Sequence, residues 1–385
     1  MSDKPNTILP AILPGGTLGI LGGGQLGRML AAVAKRNGYR VWVYTPESNS
    51  PASHFADRTV VADYEDVDQL KQFAAQVDVI TFEFENVPVE PLRHIEHDTL
   101  MRPGLDVFDT VRSRINEKSF LAKNDIRCAP FAVIESVEQL RLAAERIGLP
   151  AVLKVSAGGY DGKGQFVIDN ISQCQSGWET LGAQPATLEK FVDLACEVSV
   201  LVARDCHGQS ETFGPIENYH SNHILDYSVV PAAVTSQVQD SAVLISRQVA
   251  EKIGLVGLIC VEFFVTVQQE VLVNEIAPRP HNSGHLTIEG AVTCQFEQQL
   301  NAVCGLPVVP FLLRQPTAMA NLLGDIWANG EPHWEWLNRF PQVKLHLYDK
   351  FPAKPGRKMG HLTIISDSRE QAIDDVLAAR DQLAR

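Results

Sequence analysis

The sequence predicts a mixed α/β and α+β chain. A Rossmann-like domain comes first, a larger α+β unit follows, and a small β-rich domain closes the chain. Three observations predict this. Strands and helices alternate through the opening segment, after a G-x-G-x-x-G loop. Two short strands flank a glycine-rich loop between Val152 and Val167. Two apolar strands further on each carry one carboxylate, Glu262 and Glu275. The expected boundaries are 1–111, 112–315 and 316–385, with a lid subdomain over about 150–195.

The bulk numbers set limits. With 385 residues the chain can bury a large core in two or three domains. Its net charge of −13 excludes a general nucleic-acid or membrane-surface binder, so any phosphate site must be a local concentration of Lys and Arg. The seven cysteines form no C-x-x-C pair and no zinc spacing, which reads as reduced structural thiols in a cytoplasmic protein. The opening residues are too short and proline-broken for a signal sequence, and no run approaches the ~18 apolar residues of a membrane span.

In order, Thr17–Leu21 is a buried-type strand running into Gly22-Gly-Gly-Gln25-Leu26-Gly27. Leu26, Met29, Leu30 and Val33 fall at helical spacing, and Gly38 stops that helix. Val41–Tyr44 is the second strand, with Glu47 about 20 residues past the loop, as in dinucleotide-binding proteins. Three readings stay open: an NAD site, a site for another phosphate-bearing ligand at the helix N-terminus, or a structural turn. Thr59–Val61, a helix from Val67 to Ala75 and a strand from Val77 to Phe82 continue the alternation. Ligands of open α/β sheets bind beyond the strand C-termini, so Gln25, Glu83 and Asn86 are placed to face one crevice; the alternative is that these polar groups are simply solvated.

Pro103–Asp109 reads as a connection, and 112–124 as a polar helix carrying Arg114 and Lys118. Ser136 and Gln139 form a capping box for a helix with Leu140, Ala143, Ala144 and Ile147 on one face. A strand carrying Lys154 then enters the glycine-rich loop, and Gln165–Ile168 leaves it. Within it Gly158, Gly159, Gly162 and Gly164 flank Tyr160, Asp161 and Lys163. Without Cβ atoms, such a backbone can approach a ligand closely, and exposed N–H groups beside two lysines suit a polyphosphate. It is not a Walker A loop, because Gly-Lys is followed by Gly164. The bland alternative is a flexible hairpin tip with solubilising charges. Ala186–Val192 ends a strand, and Glu197–Ala203 reads as a strand of the same sheet with Glu197 facing out. His220 lies in a polar stretch, and a helix is expected from about Ser236 to Ile253.

Gly257–Val265 and Val271–Ile276 read as a hairpin with Glu262 and Glu275 inward. Two such carboxylates repel unless a cation sits between them, and oxygen ligands beside phosphates suit Mg²⁺. The alternative is pairing with Arg or Lys, Arg279 being the candidate. Residues Arg279 to His285 form a polar loop expected to face a substrate; Pro280 and Gly284 oppose the helix that a zinc pair, His281 and His285, would need. Gln295–Cys304 is a helix. Strands Thr317–Leu323 and Val343–Tyr348, a short helix Trp334–Phe340, a strand Leu362–Ile365 and a capped C-terminal helix complete the chain. Lys350, Arg357 and Lys358 form a basic cluster held by Pro and Gly, either an anion-binding loop or a solvated face.

These motifs together resemble the ATP-grasp superfamily, and within it the 5-(carboxyamino)imidazole ribonucleotide synthase family. The match rests on Gly159-Tyr-Asp-Gly-Lys-Gly-Gln165, Ala277-Pro-Arg-Pro-His-Asn-Ser-Gly-His285 and Gly356-Arg-Lys-Met-Gly-His361. It implies an ATP-grasp fold with a pre-ATP-grasp first domain. It implies an ATP-dependent ligase of purine biosynthesis that carboxylates aminoimidazole ribonucleotide with bicarbonate through carboxyphosphate, as a cytoplasmic homodimer. ATP, Mg²⁺ (or Mn²⁺) and bicarbonate are implied, and NAD is not. By resemblance, Arg114, Lys154 and the loop Gly159, Tyr160, Asp161, Gly162, Lys163, Gly164 and Gln165 hold the ATP phosphates. Glu189, Lys190, Phe191 and Val192 meet adenine, Glu197 the ribose, and His220 lies near the nucleotide. Glu262 and Glu275 ligate the metal, with Asn274 adjacent. Tyr160, Asp161, Arg279, His281, Lys350, Arg357 and Lys358 surround the ribonucleotide and carboxyphosphate, with Asp161, Arg279, His281 and Lys358 catalytic. Gln25 and Leu26 assist from the first domain, beside Glu83 and Asn86. Many ATP-grasp members carry an Asn where this chain has Ala277, so no third metal ligand is assigned.

Overall fold

A computed structural model describes residues 11–158 and 164–383. Sixteen strands form three sheets among the described residues. The first contains β1 (Thr17–Leu21), β2 (Arg40–Thr45), β3 (Arg58–Val61) and β4 (Val79–Phe82), all parallel, in the order β3-β2-β1-β4. β1 is buried at every residue, as a parallel strand covered on both faces must be. The chain reverses its direction of sheet growth between β1 and β4. The loops after those two strands therefore open a crevice, into which Gly22–Gly24 and Glu83–Glu85 project. The helix Gln25–Arg36 buries Leu26, Leu30, Ala31, Val33 and Ala34 in a cluster shared with Phe296, Leu300 and Val303 of the helix Gln295–Val303, which ties the first domain to the middle of the chain. Residues 105–111 are a helix rather than the expected connection: Leu105, Val107 and Phe108 are buried, and Phe108 packs against Phe82 with ring centroids 4.3 Å apart.

The second sheet is antiparallel, with β5 (Phe131–Ile134), β6 (Ala151–Val155), β7 (Gln165–Ile168) and β8 (Ala186–Lys190) in the order β5-β8-β6-β7. The β6–β7 pairing bears out the hairpin read from the sequence. The helices Val137–Ile147 and Cys174–Thr180 cover one face, packing Leu140, Ala143 and Trp178 against Leu153 and Leu188.

The third sheet is antiparallel throughout. It holds β9 (Leu194–Arg204), β10 (Ser210–Ser221), β11 (Ile224–Val230), β12 (Gly257–Thr266), β13 (Val271–Ala277), β14 (Thr317–Leu323), β15 (Lys344–Leu347) and β16 (Lys358–Ile365). Their order is β13-β12-β9-β10-β11-β14-β16-β15. The Glu197 strand therefore does not share a sheet with Ala186–Lys190, contrary to expectation. The Lys190 and Phe191 N–H groups still bond Pro130 and Pro150 in the smaller sheet, whereas β9 pairs with β10 and β12. The C-terminal strands continue the large sheet through β11–β14, with Tyr227 opposite Ala320. The helix Ser236–Lys252 packs Val238, Ala242 and Val249 onto Val198, Val200, Val202 and Val261, and the helix Arg369–Leu383 packs Ala372, Val376 and Ala379 onto β14 and β16. All seven cysteines are free, and no described helix is long and apolar enough to cross a membrane.

Candidate active site

The small and large sheets meet over a charged cluster. Ser113 caps the helix Arg114–Lys123, and three of that helix's first five residues turn inward: Arg114, Glu117 and Lys118. Arg114 grips the Glu189 carboxylate of β8 through Nε and Nη2, and Nη2 also donates to Asn274 Oδ1 at 3.1 Å. Lys118 is fully buried, donates to the Val273 and Asn274 carbonyls at 3.2 and 3.0 Å, and lies 3.7 Å from Glu189. Lys154 of β6 completes the group, 3.4 Å from Glu189. Burial opposes a charge on Glu189, yet Lys118, Lys154 and Arg114 hold its pKa far below the ordinary carboxylate range. Lys154 moves the other way: burial and the neighbouring Arg114 lower it to about 8. Three cations against two carboxylates, Glu189 and Glu117 (the latter 3.8 Å from Arg114), leave positive charge to spare, which suits a polyphosphate. Lys118 was not among the expected site residues; its spacing of four from Arg114 on one helix face was the available signal.

Glu262 and Glu275 are register partners across β12–β13, beside a β-bulge at Glu262. The alternative of a salt bridge from Arg279 is not realised: Arg279 binds Glu85 of the first domain through Nε and Nη2. Glu262 accepts instead from His281 Nε2 at 2.8 Å. Glu275 has no ion-pair or hydrogen-bond partner among the described residues, and burial plus the facing Glu262 raise its pKa. A carboxylate pair with one member uncompensated fits a divalent cation, and the oxygen-only donor set fits Mg²⁺ completed by phosphate oxygens. Asn274 lies between the two clusters, bonded to Arg114.

The nucleotide-side expectations divide. Glu197 and His220 meet across β9–β10, His220 Nδ1 lying 3.4 Å from Glu197 Oε2; burial opposes charge on the imidazole, but Glu197 raises its pKa overall. Lys190 ends β8, and Phe191 is exposed just beyond it, followed by Val192, where the chain crosses to the large sheet. Glu189 itself is committed to the cations, so only its backbone can meet a base. Gly164 has positive φ, and Gln165 reaches His223 of the β10–β11 turn at 3.5 Å. Gly159, Tyr160, Asp161, Gly162 and Lys163 lie outside the described residues.

Three domains converge on the remaining residues. Glu83 projects from the end of β4 onto the start of the helix Gln25–Arg36, where it accepts the Gly24 N–H. Burial raises its pKa to about 7 against the pull of that N–H, Lys350 and Arg279. A Cβ on Gly24 would stand 1.9 Å from Glu83 Oε1, so any larger residue there would have to displace the carboxylate. Gln25 is half-buried beside it, and Asn86 is exposed. Leu26 points into the core, leaving its backbone N–H as the group it can offer a ligand. Arg28 of the same helix pairs with Asp349, which places Lys350 over the crevice. Burial lowers Lys350 to about 8, opposed by Glu83 and assisted by Arg357 and Lys358. Arg357 donates to the Phe351 and Pro352 carbonyls at 3.0 Å each, and Lys358 opens β16.

The loop from Arg279 to His285 faces the site only in part. Arg279 and His281 do, but Ser283, Gly284 and His285 are buried. Gln295 draws them in: it accepts the His281 N–H at 2.9 Å and donates to the His281 carbonyl and His285 Nδ1, both at 2.9 Å. Asn282 and Asn321 exchange hydrogen bonds of 3.0 and 2.8 Å. Gln295 and Glu85 were missed because each meets its partner from a distant segment.

Comparison with known proteins agrees with this layout. Family models match along the chain: a ribonucleotide synthetase preATP-grasp domain over residues 16–111, an ATP-grasp domain over 119–296, and a phosphoribosylaminoimidazole carboxylase C-terminal domain over 317–375. The N5-carboxyaminoimidazole ribonucleotide synthase of Bacillus subtilis (strain 168) is 40% identical over 365 residues, covering 95% of each chain. A bifunctional purine synthesis protein of Dictyostelium discoideum is 42% identical over 372 residues; the match takes in 91% of this chain but 37% of that protein. Among solved structures, an ADP complex of an N5-carboxyaminoimidazole ribonucleotide synthetase superposes with a TM-score of 0.91 at 38% identity, covering 97% of this chain and 99% of that one. The Aspergillus clavatus synthase with ADP and 5-aminoimidazole ribonucleotide gives 0.89 at 28%, covering 97% and 99%.

Proposed function

The chain belongs to the N5-carboxyaminoimidazole ribonucleotide synthases, a family of ATP-grasp ligases, and on that premise we propose that it joins bicarbonate to the exocyclic amine of 5-aminoimidazole ribonucleotide at the expense of ATP. A bicarbonate oxygen attacks the γ-phosphorus and the bond to ADP breaks, giving carboxyphosphate. The amine then forms a bond to its carbonyl carbon, phosphate leaves, and the amine gives up a proton.

Arg114, Lys118 and Lys154 neutralise the phosphates, with the Gly159–Gln165 loop closing over them to exclude water that would hydrolyse carboxyphosphate. The segment Glu189–Val192 meets adenine by its backbone, Glu197 takes the ribose hydroxyls, and His220 orients Glu197. Glu262 and Glu275, with Asn274 beside them, hold Mg²⁺ or Mn²⁺, which when bound supplies positive charge at the transferring phosphoryl group. Arg279 and His281 face the carboxyl carbon with Tyr160 and Asp161. Lys350, Arg357 and Lys358 take the 5′-phosphate, with the backbone of Gln25 and Leu26; Glu83 and Asn86 line the same crevice. Glu83 already fills the helix N-terminus where a dinucleotide pyrophosphate would sit, which supports a reading without NAD. The domain partition 1–111, 112–315 and 316–385, a homodimer and a cytoplasmic location belong to the same proposal. The family likeness supports them, as do the free cysteines for the last.

The observation that carries the proposal is the Glu262–Glu275 pair, set between a three-cation cluster and a crevice lined from the first domain and the C-terminal segment. The test is ADP release with Mg·ATP and bicarbonate, with and without the ribonucleotide, on wild type and Glu275→Ala. Release that the ribonucleotide stimulates and the substitution abolishes is expected. Release indifferent to the ribonucleotide would sink the substrate assignment while keeping the ATP chemistry.

A further inference from the structure

A packed row of buried rings ties the basic loop of the C-terminal segment to the loop Arg279–His285. β15 and β16 last pair at Leu347 and Gly360, and the chain between the strands carries Lys350 and Arg357, with Lys358 opening β16. At the base of this loop the Tyr348 N–H donates to the Met359 carbonyl at 2.9 Å. The Tyr348 side chain is 1% exposed, and its Oη lies 2.8 Å from His361 Nδ1. Asp349 follows in the left-handed region, with φ 54°. Beyond that turn Lys350 Nζ lies 5.7 Å from the centroid of the Tyr348 ring.

His361 is fully buried and packs against two other imidazoles. His346, its register partner on β15, stacks on it with centroids 4.4 Å and planes 9° apart. His285, the end of the Arg279–His285 loop, lies 5.0 Å from it between centroids, and 6.2 Å from the Tyr348 ring, edge-on. Burial holds the pKa of both His285 and His361 well below the ordinary imidazole value, so these two rings pack as neutral groups. His285 Nδ1 accepts from Gln295 Nε2, and the same amide holds the N–H and carbonyl of His281, each at 2.9 Å. The contacts therefore run without a gap from Lys350 through Tyr348, His361, His285 and Gln295 to the His281 backbone. Among the described residues Tyr348 is the one hydrogen-bond partner of the His361 ring, whose Nε2 is buried without one. That bond fixes the rotation of the ring at the middle of the row.

We propose that Tyr348, His361, His285 and Gln295 are positioning residues that set the separation between the cations for the ribonucleotide phosphate and the Arg279–His281 loop, and so bring the amine within reach of the carboxyl carbon. None of the four is a catalytic residue. Carboxyphosphate lasts only until a nucleophile attacks its carbonyl carbon. A misplaced amine loses that race to water: the water oxygen bonds to the carbon, phosphate leaves, and bicarbonate is returned while the ATP is already spent. A displacement near ~1 Å slows capture by up to about 10²-fold. The loss of product rests on the proposed carboxylation, whereas the linkage between the two loops does not.

The test is the amount of ADP formed per ribonucleotide carboxylated. Tyr348→Phe keeps the ring, its packing and the contact with Lys350, and removes only the bond to His361. Carboxylation should slow roughly 10–100-fold while ADP release falls far less, so the ratio rises severalfold above wild type with KM for ATP little changed. Gln295→Met, of equal length at the far end of the row, should do the same. Ser246→Ala, which removes a buried hydroxyl bonded to the Ala242 carbonyl at 2.7 Å, should keep the wild-type ratio. An unchanged ratio in Tyr348→Phe would overturn the proposal, as would a KM for ATP that rises in step with that for the ribonucleotide. A second measurement needs no turnover. In histidine-labelled protein, ribose 5-phosphate should shift the His285 ring signals, assigned by their loss in His285→Asn, in wild type and not in Tyr348→Phe. No shift in wild type, or equal shifts in both, would also overturn it. If these shifts behave as expected but wild type carboxylates nothing, the linkage stands and the proposed substrate falls.

Discussion

Glu262 and Glu275 stand opposite each other on adjacent antiparallel strands, and of the two only Glu262 has a hydrogen-bond partner among the described residues, His281. Burial and this facing charge raise the pKa of Glu275. A folded pKa above the unfolded one means that ionising Glu275 costs stability as pH rises. Glu275→Gln should therefore melt about 1–2 °C above the metal-free wild type at pH 8, with the gap closing in acid. Added Mg²⁺ should stabilise the wild type and not the variant. ADP formation in the variant should fall at least ~100-fold. Equal activity would remove Glu275 from the metal site.

Glu189 is the common counter-ion of Arg114, Lys118 and Lys154. Its lowered pKa contributes stability that is present above the unfolded carboxylate value and lost as pH falls. Glu189→Gln leaves buried cations facing one another. We expect a loss of roughly 3–5 kcal/mol in urea unfolding at pH 7, shrinking below about pH 4.5. A loss independent of pH would mean that shape, not charge, is what Glu189 supplies.

Much of this layout was legible in the sequence, and the parts that were not share a cause. The β6–β7 hairpin and the two inward carboxylates follow from period-two alternation and turn residues within short windows. The first domain follows from its glycine loop and alternating elements. What failed was partner choice. β8 and β9 were both recognisable as extended, but nothing within either segment says that they join different sheets. Arg279 was only the alternative partner for the nearby carboxylates, and the one it does pair with, Glu85, lies 194 residues away, beyond the reach of any local pattern. The whole Arg279–His285 loop looked polar enough to face a ligand. Its inward half is satisfied by Gln295 and Asn321, which only the fold brings within reach.

Glu83 and Gly24 give a prediction confined to one substrate. A methyl at Gly24 would overlap the Glu83 carboxylate, 1.9 Å from Oε1 and 2.9 Å from its carbon. Gly24→Ala must push Glu83 off the helix N-terminus and into the crevice beneath Lys350. The KM for the ribonucleotide should rise about tenfold, a loss near 1.4 kcal/mol in binding, with the KM for ATP unchanged. Steady-state rates with each substrate varied in turn check this. A matched rise in both constants would show a general loss of structure instead.

Lys154 gives the pH dependence of ATP use. In the free protein, burial and the nearby Arg114 lower its pKa from 10.5 to about 8, with Glu189 resisting. Phosphate oxygens favour its charged form, so bound ATP raises that pKa. Below pH 8 the lysine is already charged and binding costs nothing in protons. Above pH 8 the free protein has lost the proton and must recover it on binding. The KM for ATP should therefore be flat up to about pH 8 and then rise tenfold per pH unit, until the pKa of the complex is reached. Lys154→Arg removes the titration, because a guanidinium stays charged throughout this range. Its KM should stay flat to pH 9.5, even if its absolute value is higher through altered geometry. A wild-type profile that matches the arginine variant would mean that Glu189 keeps Lys154 charged, and that the cluster binds phosphate with all three cations at every working pH.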